Sequence, residues 1–347
     1  MIDKILFQCD YNEGAHPKII ERLIATNMEQ TPGYGEDIYC IKAAEKIRTA
    51  CVDESLAVHF LVGGTQTNLT VIDAALRTYQ GVLCAVTGHI NVHETGAVEA
   101  CGHKVLGLPS KDGKITAEQV REACVAHRDN ESFEHMVQPG MVYISNPTEL
   151  GMLYSARELQ AIYEVCQEFG IYLFLDGARL GYGLAAPDND LTLPFIAQNT
   201  DVFYIGGTKV GALFGEAVVI RNESVKKDFR YIIKQKGGML AKGRLLGLQF
   251  DELFTDGLYF TISERAIQLA ERIREAIDQK GWPYLVENCT NQIFPIVPDE
   301  ALEKLGKQFG YSYDSRVDEN HSAVRFCTSW ATEEENVEAL VKAIREL

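Results

Sequence analysis

Residues 172–181 read YLFLDGARLG, and residues 204–215 read YIGGTKVGALFG. Each opens on an apolar run of strand length, and each run stops at groups that a core does not want: Asp176 and then Arg179 in the first, Thr208 and Lys209 in the second. An apolar strand ending in an acid, followed by a second ending in a lysine, places chemistry at one rim of a sheet, because ligands of open α/β sheets bind beyond the carboxyl ends of the strands.

Working outward, helical and strand-like patterns alternate through the first two thirds of the chain. HPKIIERLIATN, DIYCIKAAEKIRTAC, TAEQVREACVAH and SARELQAIYEVCQEFG carry apolar residues at helical spacing. SLAVHFLV, GVLCAV, HKVLGL, GMVYIS, IYLFLD, DVFYIG and EAVVI are short and rich in Val, Leu and Ile. Strands apolar on both faces and separated by helices predict a mostly parallel sheet covered by helices, an α/β fold. After about residue 255 the texture changes: a long helical pattern, TISERAIQLAERIREAIDQKG, leads to PYLVEN, QIFPIV, EALEKLGKQFG, AVRFCTS and a last helix EENVEALVKAIREL. The expected organisation is a large domain over 1–250 and a small α+β domain over 251–347, with the N-terminal segment free to reach the small one.

The 347 residues suffice for a large core. Thirty-three Lys and Arg against 49 Asp and Glu give a net charge of −16, which disfavours nucleic acid and anionic membrane surfaces as partners. Nine cysteines, an odd number without a C-x-x-C pair, sit mostly in apolar runs and predict a reducing, cytoplasmic location. Neither an apolar leader nor a run of about 18 apolar residues occurs, so no membrane span is expected.

Three signals converge on one cofactor. Lysine and carboxylate at neighbouring strand ends suit pyridoxal phosphate, the lysine bonding its aldehyde and the acid keeping its ring nitrogen protonated. LVGGTQTNLTVIDAAL ends a strand and opens a helix at Gly63, Gly64 and Thr65, where free N–H groups and the helix dipole favour a phosphate. TGHINVHETG supplies His89 and His93 as flat partners for a ring, with Glu94 beside them. Taken singly, each has a plainer reading: a turn with a local salt bridge, an ordinary capped helix, a polar loop. Two histidines at i, i+4 also suit a metal, but no third ligand follows, and no metal is expected. Together the three satisfy the anion, the ring nitrogen and the aldehyde of pyridoxal phosphate.

At this point the chain resembles the threonine aldolase branch of the β-eliminating lyase family, pyridoxal-phosphate enzymes of the aspartate-aminotransferase-like fold (fold type I). The likeness is carried by GYGED at 33–37, GGTQTN at 63–68, GHINVHETG at 88–96, FLDGARL at 174–180, GGTKVGALFGEAVV at 206–219 and KGGMLAKGRLLG at 236–247. The resemblance implies Lys209 as the Schiff-base lysine, Asp176 at the ring nitrogen, His89 stacked on the ring, and Gly64, Thr65 and Thr208 beside the cofactor. It further implies Arg179 and Arg325 at the substrate carboxylate, Tyr34 at the mouth of a site built at a homodimer or homotetramer interface, and low-specificity cleavage of L-threonine and L-allo-threonine to glycine and acetaldehyde. β-Elimination or racemisation by the same family is the alternative.

Two departures stand out. The family's ENTH stretch aligns with SNPTEL at 145–150, placing Thr148 where a histidine is expected. That leaves Glu149, His93 or a water as candidates to take a β-hydroxyl proton, since neutral threonine is a poor base. In KGGMLAKGRLLG, Leu240 replaces an arginine; Lys242 and Arg244 follow, either reaching a phosphate or serving as solvated helix charges.

Overall fold

The computed structural model describes residues 4–347. Seven strands form the large sheet: β2 (Ala57–Leu61), β3 (Gln80–Ala85), β4 (Lys104–Leu108), β5 (Gln138–Ser145), β6 (Tyr172–Asp176), β7 (Val202–Gly206) and β8 (Glu216–Ile220). Their order is β2-β8-β7-β6-β5-β3-β4, and only β8 runs against the rest. β7 and β8 are buried along their whole length, as the unbroken apolar runs predict for central strands. Side-chain alternation feeds two cores, one per face: Val142, Ile144, Leu173 and Leu175 on one side, Met141, Tyr143 and Phe174 on the other.

The covering helices are locally encoded. Ala156–Phe169 starts in a capping box, where the Ser155 side chain accepts from the Glu158 N–H and Glu158 reaches back, and it ends at Gly170 with φ +64°. Gly64–Ala75 has no side-chain cap and no acid in its first turn, so the N–H groups at its start are left for another acceptor.

The C-terminal unit holds β9 (Tyr284–Val286), β10 (Gln292–Pro298), β12 (Ser312–Arg316) and β13 (His321–Cys327) in the antiparallel order β12-β13-β10-β9. The N-terminal strand β1 (Ile5–Leu6) joins this unit by pairing in parallel with β11 (Phe309–Gly310), and Phe7 lies in its core. Residue 250 falls inside the helix Arg244–Leu253, whose Phe250 and Leu253 belong to the large core. The helix Leu258–Lys280 serves both units: Leu258 to Ile267 pack in the large core, and Leu269 to Ile277 in the small one. Among the described residues no helix is long and apolar enough to cross a membrane.

Candidate active site

Because β8 is antiparallel, its first residue, Glu216, lies at the same rim as the last residues of β2 and β7, with which it is in register. Ser145 and Asp176 end β5 and β6 side by side. β6 and β7 close up where Gly177 O accepts from the Gly206 N–H at 2.9 Å. A side chain at Gly177 would collide with the Tyr204 carbonyl, so glycine is what lets the loops carrying Asp176 and Lys209 approach. The resulting cavity, about 580 Å³, is lined by Gly63, Gly64, Thr65, His89, Asp176, Arg179, Thr208, Lys209 and Arg325, among others. All sequence-predicted site residues except Tyr34 therefore meet in one place.

Asp176 is buried and held from four directions. Oδ1 accepts from Tyr204 Oη (2.5 Å) and the Ala178 N–H (2.9 Å); Oδ2 accepts from Tyr143 Oη (2.5 Å) and Asn68 Nδ2 (3.2 Å). Burial and the Asp176 charge push both phenols well above their ordinary pKa, so they stay protonated donors to Asp176.

Lys209 Nζ makes no hydrogen bond or ion pair among the described residues. Burial and the Arg179 charge hold its amine below the ordinary lysine value, against Asp10, Asp176 and Glu216. Burial pushes Glu216 up to about 8, although Thr208 Oγ1 (2.9 Å) and the Gly207 N–H (3.0 Å) bond its two oxygens. Thr208 lines the cavity with its hydroxyl engaged inside the turn, donating to Glu216 and accepting from the Gly215 N–H.

His89 opens a short helical turn, His89–Val92, and its Nδ1 bonds Glu94 Oε1 at 2.7 Å. Burial alone lowers its pKa; the bond to Glu94 and the Asp176 charge outweigh that, and the net shift is upward. His93 lies more exposed, 5.4 Å from the His89 ring between centroids, and is held below its ordinary value by burial and by His89.

Arg179 is paired in bidentate fashion with buried Asp10, Nε to Oδ2 at 2.7 Å and Nη2 to Oδ1 at 3.0 Å. Arg325 donates from Nη1 to Gln292 Oε1 (3.0 Å) and from Nη2 to Gln8 O (2.9 Å), while its Nε is buried without a partner. Tyr34 lies outside the cavity, with φ +62° and its ring under Lys234 Nζ at 4.9 Å, in a surface depression shared with Arg230, Tyr231 and Met239. Arg244 is turned inward: it donates to Thr26 O and Glu29 O and lies over the Tyr39 ring, while Lys242 is exposed.

Sequence reading missed Asp10, Asn68, Tyr143, Tyr204 and Glu216. Tyr143 and Tyr204 look like core aromatics in apolar strands, and only the position of their hydroxyls relative to Asp176 gives them a task. Asp10 carries no motif and depends on β1 pairing with the far end of the chain.

The Beta-eliminating lyase family model matches residues 9–309. A low specificity L-threonine aldolase of Pseudomonas sp. (strain NCIMB 10558) is 30% identical over 345 residues, covering 98% of this chain and 96% of that protein. Its counterpart from Pseudomonas aeruginosa is 28% identical over 342 residues, 98% of this chain and 96% of that protein. The solved structure of Leishmania major threonine aldolase superposes with TM-score 0.96 at 42% identity over 98% of both chains. A Thermus thermophilus aspartate aminotransferase variant, 15% identical with TM-score 0.71 over 99% of this chain and 91% of that one, shares the fold.

Proposed function

We propose, from the premise that this chain belongs to the beta-eliminating lyase family, that it is a pyridoxal-phosphate lyase that cleaves L-threonine and L-allo-threonine to glycine and acetaldehyde with low side-chain specificity. The observation that carries this reading is the whole-length match to threonine aldolases, at 42% identity to a solved one, around a cavity where a lysine, a carboxylate and two arginines converge.

The residues present fit the cofactor. The uncapped start of Gly64–Ala75, with Gly64 and Thr65, offers N–H groups to a phosphate. Lys209 Nζ is free for the aldehyde, and the His89 ring is oriented by Glu94. Asp176 would hold the ring nitrogen in its protonated form; of its contacts the one to Asn68 Nδ2 is the longest, at 3.2 Å, and Asn68 Nδ2 also donates to Glu94 Oε1 at 2.7 Å. When bound, the cofactor supplies an electron sink for the pair released at the substrate's α-carbon.

Arg325 and Arg179 receive the substrate carboxylate: Arg325 has an unpaired buried Nε, and Asp10 holds Arg179 through Nε and Nη2, which leaves Nη1 for the substrate. Holding the carboxylate and the amino end at once fixes the bond to be broken, which is where orientation lowers the barrier. The free cysteines suit a reducing cytoplasm. Tyr34, 47% exposed outside its own cavity, suits delivery to the site of a second copy in a homodimer or homotetramer, which light scattering would detect.

The reading is tested by incubating cofactor-saturated protein with L-threonine and with L-allo-threonine and identifying products. Glycine and acetaldehyde are expected; ammonia and a 2-oxo acid would replace the aldolase reading with β-elimination.

A further inference from the structure

Cleavage between the α and β carbons requires that the β-hydroxyl lose its proton as the carbonyl forms, so some group on the cavity must accept it. Thr148 is fully buried and faces away from the cavity: its Oγ1 donates to Asp112 O (3.1 Å) and accepts from the Met152 N–H (3.1 Å), and it packs under Gly113. The turn that buries it, with the Thr148 N–H bonded to Met152 O and the Gly151 N–H to Thr148 O, swings the next residue, Glu149, back into the cavity.

We infer, resting on the aldolase reading above, that Glu149 is the base that takes the β-hydroxyl proton. Its Oε1 accepts from Ser145 Oγ (2.7 Å) and from the His89 backbone N–H (2.9 Å), which fix the carboxylate beside the residue assigned to the cofactor ring. Its Oε2 has no hydrogen-bond partner among the described residues and is left for a substrate hydroxyl. Burial raises its pKa, the Ser145 bond partly offsets this, and Asp176 adds to the rise; Cys84, Tyr143, Tyr154 and His89 are the other titratable groups around it. A carboxylate raised in this way is a stronger base than one in water.

The other groups on the cavity are less suited. His89 is assigned to the cofactor ring, with Nδ1 bonded to Glu94, and His93 is weakened as a base. Burial raises the Tyr11 phenol above its ordinary value, and both Glu216 oxygens are bonded within their own turn. In the step itself the O–H bond breaks and its proton passes to Glu149. The C–O bond becomes C=O, the bond between the α and β carbons breaks, and its electron pair leaves with the glycine half. A proton returned to that carbon completes glycine, and the aldehyde departs.

Glu149→Gln preserves the shape and an acceptor for Ser145 and His89. It is expected to lower kcat for L-threonine and L-allo-threonine by about 10²-fold or more and to remove the acid limb of the kcat–pH profile, which in the parent rises as the carboxyl ionises. Glycine has no β-hydroxyl, so the variant should bind it with unchanged affinity, read from the cofactor absorbance, and should still exchange its α-hydrogen with solvent. Glu149→Asp, which keeps the charge, should recover part of the cleavage. Cleavage by Glu149→Gln within tenfold of the parent, or cleavage, glycine binding and exchange all falling together, would overturn the assignment; so would loss of the acid limb in His93→Asn with Glu149→Gln unaffected. Failure of the aldolase reading looks different: the parent itself would bind glycine yet release none from either substrate, and the assignment would fall with it.

Discussion

Asp10→Asn isolates the ionic part of the contact that holds Arg179. The substitution keeps the shape of the side chain and one acceptor oxygen, but removes the charge that faces a buried guanidinium. Although burial works against ionisation, the Arg179 charge wins and holds the Asp10 carboxyl at about 2 against an ordinary 3.8. That difference corresponds to about 2.5 kcal/mol of preference for the ionised form in the folded chain. Removing one partner of a buried pair typically costs about 3–5 kcal/mol, while cavity water and the remaining amide acceptor reduce the loss, so about 2–4 kcal/mol is expected. Urea unfolding of the cofactor-free protein, at one fixed concentration because subunit association would shift the midpoint, measures it. Since the folded pKa is depressed, the contribution is fully present above pH 3.8 and is lost as pH falls towards 2. The difference between parent and variant should therefore be flat near neutrality and shrink in acid. A loss below about 1 kcal/mol at pH 7, or a difference that grows in acid, would refute the pairing. In a double-mutant cycle, Asp10→Asn and Arg179→Gln should together cost less than the sum of the two.

Lys209→Ala should remove both turnover and the visible absorbance of covalently held cofactor; intact turnover would contradict its role. Asp176→Asn should retain cofactor yet lose about 10²-fold or more in kcat, and near-normal rates in a steady-state assay would sink that assignment. Thr148→His, which puts the family's residue back by alignment, should not raise the rate, because position 148 faces Gly113 and Asp112 rather than the cavity. Overpacking there should cost about 1–3 kcal/mol in chemical denaturation; a faster enzyme would show that the turn can present residue 148 to the substrate.

The legible part of this protein lay where a short-range pattern and a chemical contrast coincide. Asp176 and Lys209 stood out because each ends an apolar strand with a charge, and burial in a sheet tolerates that only at a rim with a task. Gly63 and Gly64 stood out because a strand followed by a helix without a capping side chain leaves donors to spare. Asp10 and Glu216 were hidden for the opposite reason. Their positions depend on long-range pairings, β1 with β11 and β8 reversed between β2 and β7, and no local pattern encodes the direction of a strand. Arg244 was left open between a phosphate and solvent; within the chain it donates to the Thr26 and Glu29 carbonyls and lies over the Tyr39 ring, contacts between distant segments that no local pattern encodes.

Residues 145–149 show how the two kinds of information combine. Alignment assigns a place along the chain, and by that measure Thr148 stands where the family resemblance places a histidine, with a neutral hydroxyl that is a poor base. The fold assigns a face, and the turn held by Thr148 Oγ1 and Met152 puts residue 148 into the core and residue 149 into the cavity. The same hydroxyl that fails as a base is thus what aims the neighbouring carboxylate. Loss of the histidine and retention of the chemistry are compatible because the proton acceptor is defined by the surface of the cavity rather than by the column of an alignment.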